Sequence, residues 1–195
     1  EGEQRITAIY ASNEFSITEK LKSVFGIRTE LFQTFYTGQN QAATEVYKNS
    51  KIIDKFDIFP SANIIYSITD ELNLRGSYSR TTARPSFKEA SRSQIFDAIT
   101  NRLFIGNIDL MPSYINNFDV RFEKFGEGSE MFAFSAFYKG FTDPIELTFF
   151  ESAPDQITPK NLGSAKVYGI EFEFRKSLGF ILKSLDQLKF NINAS

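Results

Sequence analysis

The chain has 195 residues, of which 42% are hydrophobic and 15% aromatic, with 22 Phe and 8 Tyr but no Trp. Its 22 basic and 24 acidic residues give a formal net charge of −2, which is not the basic footprint of a nucleic-acid-binding protein. The absence of Cys and His excludes disulfides, thiolate nucleophiles, a Ser-His-Asp triad and the usual zinc sites. We therefore predict no catalytic residue, no cofactor and no metal site, and we expect no enzyme activity.

Apolar and polar side chains alternate along much of the chain with the period of two that is typical of β-strands. This pattern predicts strands at residues 5–17, 21–35, 58–68, 72–82, 117–123, 132–138, 166–175 and 188–193. The first strand is the least regular, with Ile6, Ala8 and Tyr10 on its apolar face. A short helical turn is expected only near residues 87–100 and 178–188. The predicted fold is all-β, an antiparallel meander of about eight strands.

The predicted connections alternate between short and long. Short turns are expected at residues 18–20, 69–71 and 125–130, and long polar loops at residues 37–55, 84–112 and 143–162. A connection of intermediate length falls at residues 177–187. Short turns at one end of a sheet and long loops at the other are typical of an outer-membrane β-barrel, whose strands need only about 10 residues to cross the bilayer.

The polar faces of several predicted strands carry charges of both signs. In a barrel these side chains would face the lumen and the apolar faces would meet lipid. In a soluble β-sandwich the apolar faces would pack inward and the charges would meet water, so a soluble β-sandwich or small β-barrel that binds a ligand remains the alternative. The candidate lumen-facing residues are Arg28, Glu30, Arg75, Asp119, Arg121, Glu123, Glu171, Glu173 and Arg175.

Five short motifs follow one another in a recognisable order. Arg84-Pro85-Ser86-Phe87 closes a strand and opens a long loop, because Pro85 lacks an amide hydrogen and disfavours a central strand. A turn at Gly106-Asn107, with Leu110 and Pro112, precedes the next strand, in which Asn117 and Glu123 alternate with apolar residues. Three further segments continue the order: residues 137–145, residues 161–173 and, upstream, residues 25–30.

In these motifs the chain resembles the barrel of TonB-dependent outer-membrane receptors. The resemblance implies a complete barrel of about twenty-two strands, an N-terminal plug domain, TonB as a partner, and uptake of a small nutrient ligand such as an iron chelate, a glycan or a peptide. The chain shows neither a plug nor a TonB box, begins without a signal-peptide pattern and stops in mid-strand. We therefore expect residues 1–195 to be a partial barrel domain in contact with outer-membrane lipid.

The long loops carry the candidate ligand contacts. Arg84, Lys88, Arg92 and Arg102 lie in the loop at residues 84–112 and are expected to attract an anionic ligand outside the cell. The alternative is that these cations keep the loop soluble or contact anionic lipopolysaccharide.

Overall fold

The structure, a computed structural model, describes residues 1–126, 130–180, 185 and 187–195. The described residues form two sheets. The larger one is an eight-stranded antiparallel meander in the order β1-β2-β3-β4-β7-β8-β11-β12. Its strands are β1 (Gly2–Ser16), β2 (Leu21–Gln39), β3 (Val46–Thr69), β4 (Leu72–Ala83), β7 (Ser113–Phe125), β8 (Met131–Thr142), β11 (Ser164–Ser177) and β12 (Lys189–Ala194). Each of them contains or overlaps one predicted strand, which confirms the predicted fold class.

The smaller sheet has the order β5-β6-β10-β9, and its strands all come from two of the long connections. They are β5 (Gln94–Asp97), β6 (Arg102–Ile105), β9 (Ile145–Phe150) and β10 (Ala153–Asn161). Of the helical turn expected near residues 87–100, only one hydrogen-bonded turn forms, in which the Ala90 amide donates to the Ser86 carbonyl at 2.9 Å, and β5 occupies part of the rest of that segment. A 3₁₀ turn does form at Leu178–Phe180. No helix among the described residues is long and apolar enough to cross a membrane.

The alternation of short and long connections is present, with one correction. β1 and β2 are joined by residues 17–20, and β3 and β4 by residues 70–71, at the same end of the meander. At the opposite end lie the connections 84–112 and 143–163. The long loop predicted at residues 37–55 is wrong: β2 and β3 continue to Gln39 and Val46, so that only residues 40–45 connect them. Residues 127–129, and 181–184 and 186 of the expected intermediate connection, lie outside the described residues.

The β2–β3 hairpin extends beyond the neighbouring strand. β3 pairs with β2 along its length, from Tyr66 opposite Leu21 to Val46 opposite Gln39. It pairs with β4 only at Ser61–Thr69. The upper part of the hairpin therefore lacks β4 beside it, and the connection at residues 84–112 packs there instead.

The register gives the large sheet one apolar and one charged face, because directly paired residues in an antiparallel sheet project to the same side. The apolar face is open to its surroundings: Phe25, Ile64, Phe118, Val120 and Ile170 are all exposed. A β-sandwich would cover these residues with a second sheet, but the four-stranded sheet belongs to connections that pack on the charged face. Ile6, Ala8 and Tyr10 share one face of β1, as predicted. This face lies on the charged side of the sheet, since Tyr10 pairs with Arg28 and Ala8 with Glu30.

The buried core of the described residues lies on the charged face and in the loops. Phe32 and Ile53 are at most 2% exposed where the loop covers the β2–β3 hairpin. A second cluster of buried side chains lies inside the loops themselves: Ala90, Phe104, Ile108, Leu110, Thr158 and Pro159. The long connections are therefore folded structures with their own small core.

Candidate functional site on the charged face and in the long loops

The charged face carries a ladder of ion pairs between residues of three strands, β4, β7 and β11. Glu123 of β7 lies 2.9 Å from Arg75 of β4 and 2.7 Å from Arg121. Arg121 also reaches Glu173 of β11 at 2.8 Å, and Arg175 pairs with the same Glu173. The Glu123 side chain is only 7% exposed, so one enclosed carboxylate is shared by two guanidinium groups. Ionic groups removed from water in this way need several partners at once to offset their lost hydration.

A second ionic group lies higher on the same face. Glu30 of β2 pairs with Arg28 at 2.5 Å and with Arg84, the first residue after β4. The Arg84 guanidinium also stacks over the Phe32 ring, 4.4 Å from its centroid. Asp57, opposite Glu30 in the register, accepts a hydrogen bond of 2.6 Å from the Tyr114 hydroxyl. The root of the long loop is thus tied to β2.

Seven of the nine charged candidates of the large sheet are joined by these ion pairs. The other two are Asp119 and Glu171. Asp119 accepts a long hydrogen bond of 3.4 Å from Ser77, and Glu171 borders a shallow cavity together with Arg121 and Glu173. All nine lie on one face, as their alternation along the strands requires.

The four cations of the first long loop do not form one cluster: two of them share a cavity, and the other two lie elsewhere. Lys88 lies 4.3 Å from the Phe104 centroid and Arg102 lies 5.0 Å from that of Phe149. These two cations line one cavity of about 290 Å³, together with Asp97 and Phe104. Arg84 borders a different cavity, and Arg92 contacts the tip of the β2–β3 hairpin.

Two ionisable groups of this loop, the Asp97 carboxylate and the Arg92 guanidinium, have pKa values shifted from their ordinary ones. The Thr100 hydroxyl and then the Ile99 amide donate to Asp97 and lower its pKa, so this carboxylate stays ionised in the cavity that Lys88 and Arg102 line. The hydrogen bond with the Tyr47 hydroxyl is the main cause that raises the pKa of Arg92. Both groups therefore keep their charge at neutral pH.

Two asparagines that the sequence motifs contain hold the long loops together. The Asn107 side chain donates to the Pro159 carbonyl at 3.1 Å. Asn161 accepts from the Met111 amide at 2.9 Å and donates to the Met111 and Asp143 carbonyls at 2.9 Å each. The motifs placed Asn107 at a turn and Asn161 just before a strand that re-enters the sheet, but no sequence signal paired one loop with the other.

The chain belongs to the family described as TonB-dependent receptor-like β-barrel, whose model matches residues 1–195. This result confirms the resemblance seen in the motifs. A search among curated proteins finds no match.

Solved structures share the fold at low sequence identity. The siderophore receptor PirA from Pseudomonas aeruginosa has a TM-score of 0.69 and 14% identity, over 90% of this chain and 32% of that one. A mutant of the ferric enterobactin receptor PfeA from the same organism, in complex with enterobactin, has a TM-score of 0.71 and 16% identity, over 97% of this chain and 26% of that one. The hemophore receptor HasR from Serratia marcescens, in complex with HasA and heme, has a TM-score of 0.69 and 12% identity, over 89% and 32%. The chain thus spans 26% to 32% of these three proteins.

Proposed function

We propose that this chain is part of the wall of an outer-membrane receptor that takes up a small nutrient by TonB-dependent active transport. The observation that carries the proposal is the contrast between the two faces of the large sheet. One face exposes side chains such as Phe118, Val120 and Ile170, and the other holds a network of ion pairs around the buried Glu123. A β-strand wall between lipid and a polar lumen requires this contrast.

In this arrangement the apolar face contacts outer-membrane lipid, and the nine charged residues face the lumen. The charged side chains pair with one another within the wall and so hold their positions. A plug domain in the lumen would therefore meet charged groups in fixed places. Transport then needs a plug and TonB, which the inner-membrane complex energises. The long connections lie at the external end, where a ligand arrives first.

The ligand class is proposed from the loop cations and from the similar structures. The structures of PfeA and HasR hold enterobactin and heme, respectively. In this chain Lys88 and Arg102 line one cavity with the aromatic Phe104, and the carboxylates Glu89 and Asp97 line it as well. The cavity is therefore balanced in charge, and the proposal of an iron chelate with an aromatic part rests on the two cations beside the ring. Glycans and peptides remain the other candidate nutrients, but they do not require this pairing of cations with an aromatic ring.

Uptake assays test the proposal. In the native bacterium, the gene is deleted and growth is measured with ferric enterobactin, heme, a glycan or a peptide mixture as the limiting nutrient. We expect the deletion to abolish growth on one of them, and the same loss when TonB is deleted. Unchanged growth and uptake on the whole panel, or uptake that persists without TonB, contradicts the proposal.

A pair of loop variants tests the ligand class. Lys88→Gln and Arg102→Gln should weaken binding of ferric enterobactin to the purified receptor, because each removes a positive charge from the cavity. Lys48→Gln, on the β2–β3 hairpin and exposed, is the matched control. Equal affinities of all three variants and the parent contradict the assignment of this cavity.

A further inference from the structure

The two long connections share one folded unit, here called the cap, which consists of residues 84–112 and 143–163. β6 of the first connection pairs in parallel with β10 of the second, Leu103 opposite Gln156 and Phe104 opposite Ile157. The sheet β5-β6-β10-β9 therefore runs through both connections. Segments that share a backbone ladder cannot move apart without breaking it.

Side chains reinforce the union of the two connections. Asn107 reaches the Pro159 carbonyl, and Asn161 both accepts from and donates to the backbone of Met111. Arg102 of the first connection stacks on Phe149 of the second. Phe104 and Pro159, one from each connection, are among the buried residues of the small core. The cap is held together by backbone pairing, by bidirectional hydrogen bonds and by a core.

Besides covering the buried Phe32 and Ile53, the cap is joined to the tip of the β2–β3 hairpin by polar contacts that are open to water. Arg92 pairs with Glu45 at 3.0 Å and lies 3.5 Å from the Tyr47 hydroxyl, and its amide donates to the Tyr36 hydroxyl at 3.3 Å. We call these contacts the latch. The Arg92 and Glu45 side chains are 31% and 48% exposed, and an ion pair this open to water contributes little stability.

The remaining polar contacts of the cap with the wall lie at its root. Arg84 pairs with Glu30, and the Pro85 carbonyl accepts a long hydrogen bond of 3.4 Å from Gln4. Both residues directly follow Ala83, where β4 ends. At the other strands, the Asp143 carbonyl accepts from the Ser113 hydroxyl at 2.7 Å. Contacts this close to the strand ends do not restrain the far side of the cap.

We propose that the cap opens and closes as one rigid body, which pivots on the ends of β4, β7, β8 and β11 and is held shut by the latch. Opening breaks the Arg92 contacts and preserves the β6–β10 ladder. The two connections thus act as a single gate over the charged face, not as two independent loops. The proposal concerns motion alone and does not depend on which ligand is transported.

Distances between spin labels test the proposal, and the chain's lack of cysteine makes labelling simple. In the intact protein in detergent micelles, one pair joins the two connections, Ile99→Cys with Asp155→Cys. The second pair joins cap and hairpin, Ile99→Cys with Gln41→Cys. All three sites are exposed. We expect the Arg92→Gln variant to shift the cap–hairpin distances to longer values and to leave the distances within the cap unchanged.

Two further variants make the test specific. Arg102→Gln, an identical change inside the cap, is the control and should leave the cap–hairpin distances as in the parent. Asn107→Ala combined with Asn161→Ala should broaden the distances within the cap. If Arg92→Gln broadens the distances within the cap as much as those to the hairpin, the connections move separately and the proposal is wrong. Unchanged cap–hairpin distances in Arg92→Gln and in Tyr36→Phe contradict the role of the latch.

Discussion

Glu123 lies between two arginines that face each other across β4 and β7, since Arg75 pairs directly with Arg121 in the register. Glu123→Ala leaves these two guanidinium groups without the carboxylate they share. Because both guanidinium groups are partly exposed and Arg121 keeps Glu173, water and that carboxylate replace part of the lost contact, and we expect a loss of about 1–2 kcal/mol in the free energy of unfolding. Urea-dependent unfolding in lipid vesicles measures it.

The control for this variant is Glu171→Ala on the same face. Among the described residues no ion pair involves Glu171, and its side chain is exposed. Its removal should change the free energy of unfolding by less than about 0.5 kcal/mol. Equal losses of unfolding free energy in the two variants would mean that the ion pairs of Glu123 do not stabilise the sheet.

Asn161 allows donor and acceptor roles to be separated. Asn161→Asp keeps an oxygen to accept from the Met111 amide but loses both hydrogen bonds to carbonyls. Asn161→Ala loses all three. We expect the Met111 amide to exchange with deuterium faster in Asn161→Ala than in Asn161→Asp, as measured by mass spectrometry. An identical Met111 exchange rate in the parent and both variants would show that Asn161 does not fix this strand end.

For a single residue, the sequence predicts the face of the sheet on which the side chain lies better than it predicts which residues the side chain contacts. Alternation is a local property, so it placed all nine charged residues on one side. The sharing of Glu123 by Arg75 and Arg121 depends on the register between β4 and β7, which local patterns do not contain. For the same reason, no local pattern in the sequence predicts that Tyr36 and Tyr47 of the latch contact the loop. Their side chains meet the loop only because the hairpin extends beyond β4.

Among the elements, the strands with one apolar face were predicted well, and the strands without one were missed. The upper part of the β2–β3 hairpin has polar residues on both faces, and the backbone ladder continues there without an apolar pattern. β5, β6, β9 and β10 have between 4 and 9 residues, and their pairing joins distant segments of the chain. Periodicity over so few residues does not distinguish a strand from a polar loop.

The two faces of the large sheet should respond differently to a new positive charge near the middle of β4 and β7. Val120 on the apolar face is 54% exposed, and the proposed function puts its side chain in contact with lipid. An arginine at the bilayer midplane costs about 2–4 kcal/mol, so Val120→Arg should lower the free energy of unfolding from vesicles by a large part of that amount.

Ser77→Arg is the matched variant for the charged face. Ser77 of β4 pairs directly with Asp119 of β7, so a new arginine there faces a carboxylate. We expect its free energy of folding into vesicles to stay within about 1 kcal/mol of the parent. If Ser77→Arg is the more damaging change, the assignment of the two faces to lipid and lumen is reversed.

The large sheet as a whole has two properties that set its behaviour in solution. It presents a continuous apolar face, and β1 and β12 stand at its two edges with one neighbour each. Unpaired strand edges and large apolar surfaces both promote association in water. We therefore expect residues 1–195, expressed alone and purified, to stay in solution only with detergent or lipid.

Sedimentation velocity measures the size of the particles that the chain forms with and without detergent. With detergent above its critical micelle concentration, the chain should sediment as a small protein–detergent particle. After the detergent is removed, it should form large, polydisperse species, because the apolar face and both sheet edges then meet water. A monodisperse monomer without detergent would mean that the apolar face is covered in solution. That outcome would favour the soluble ligand-binding module over the membrane wall, since only a rearranged sheet could bury Phe118, Val120 and Ile170 within one chain.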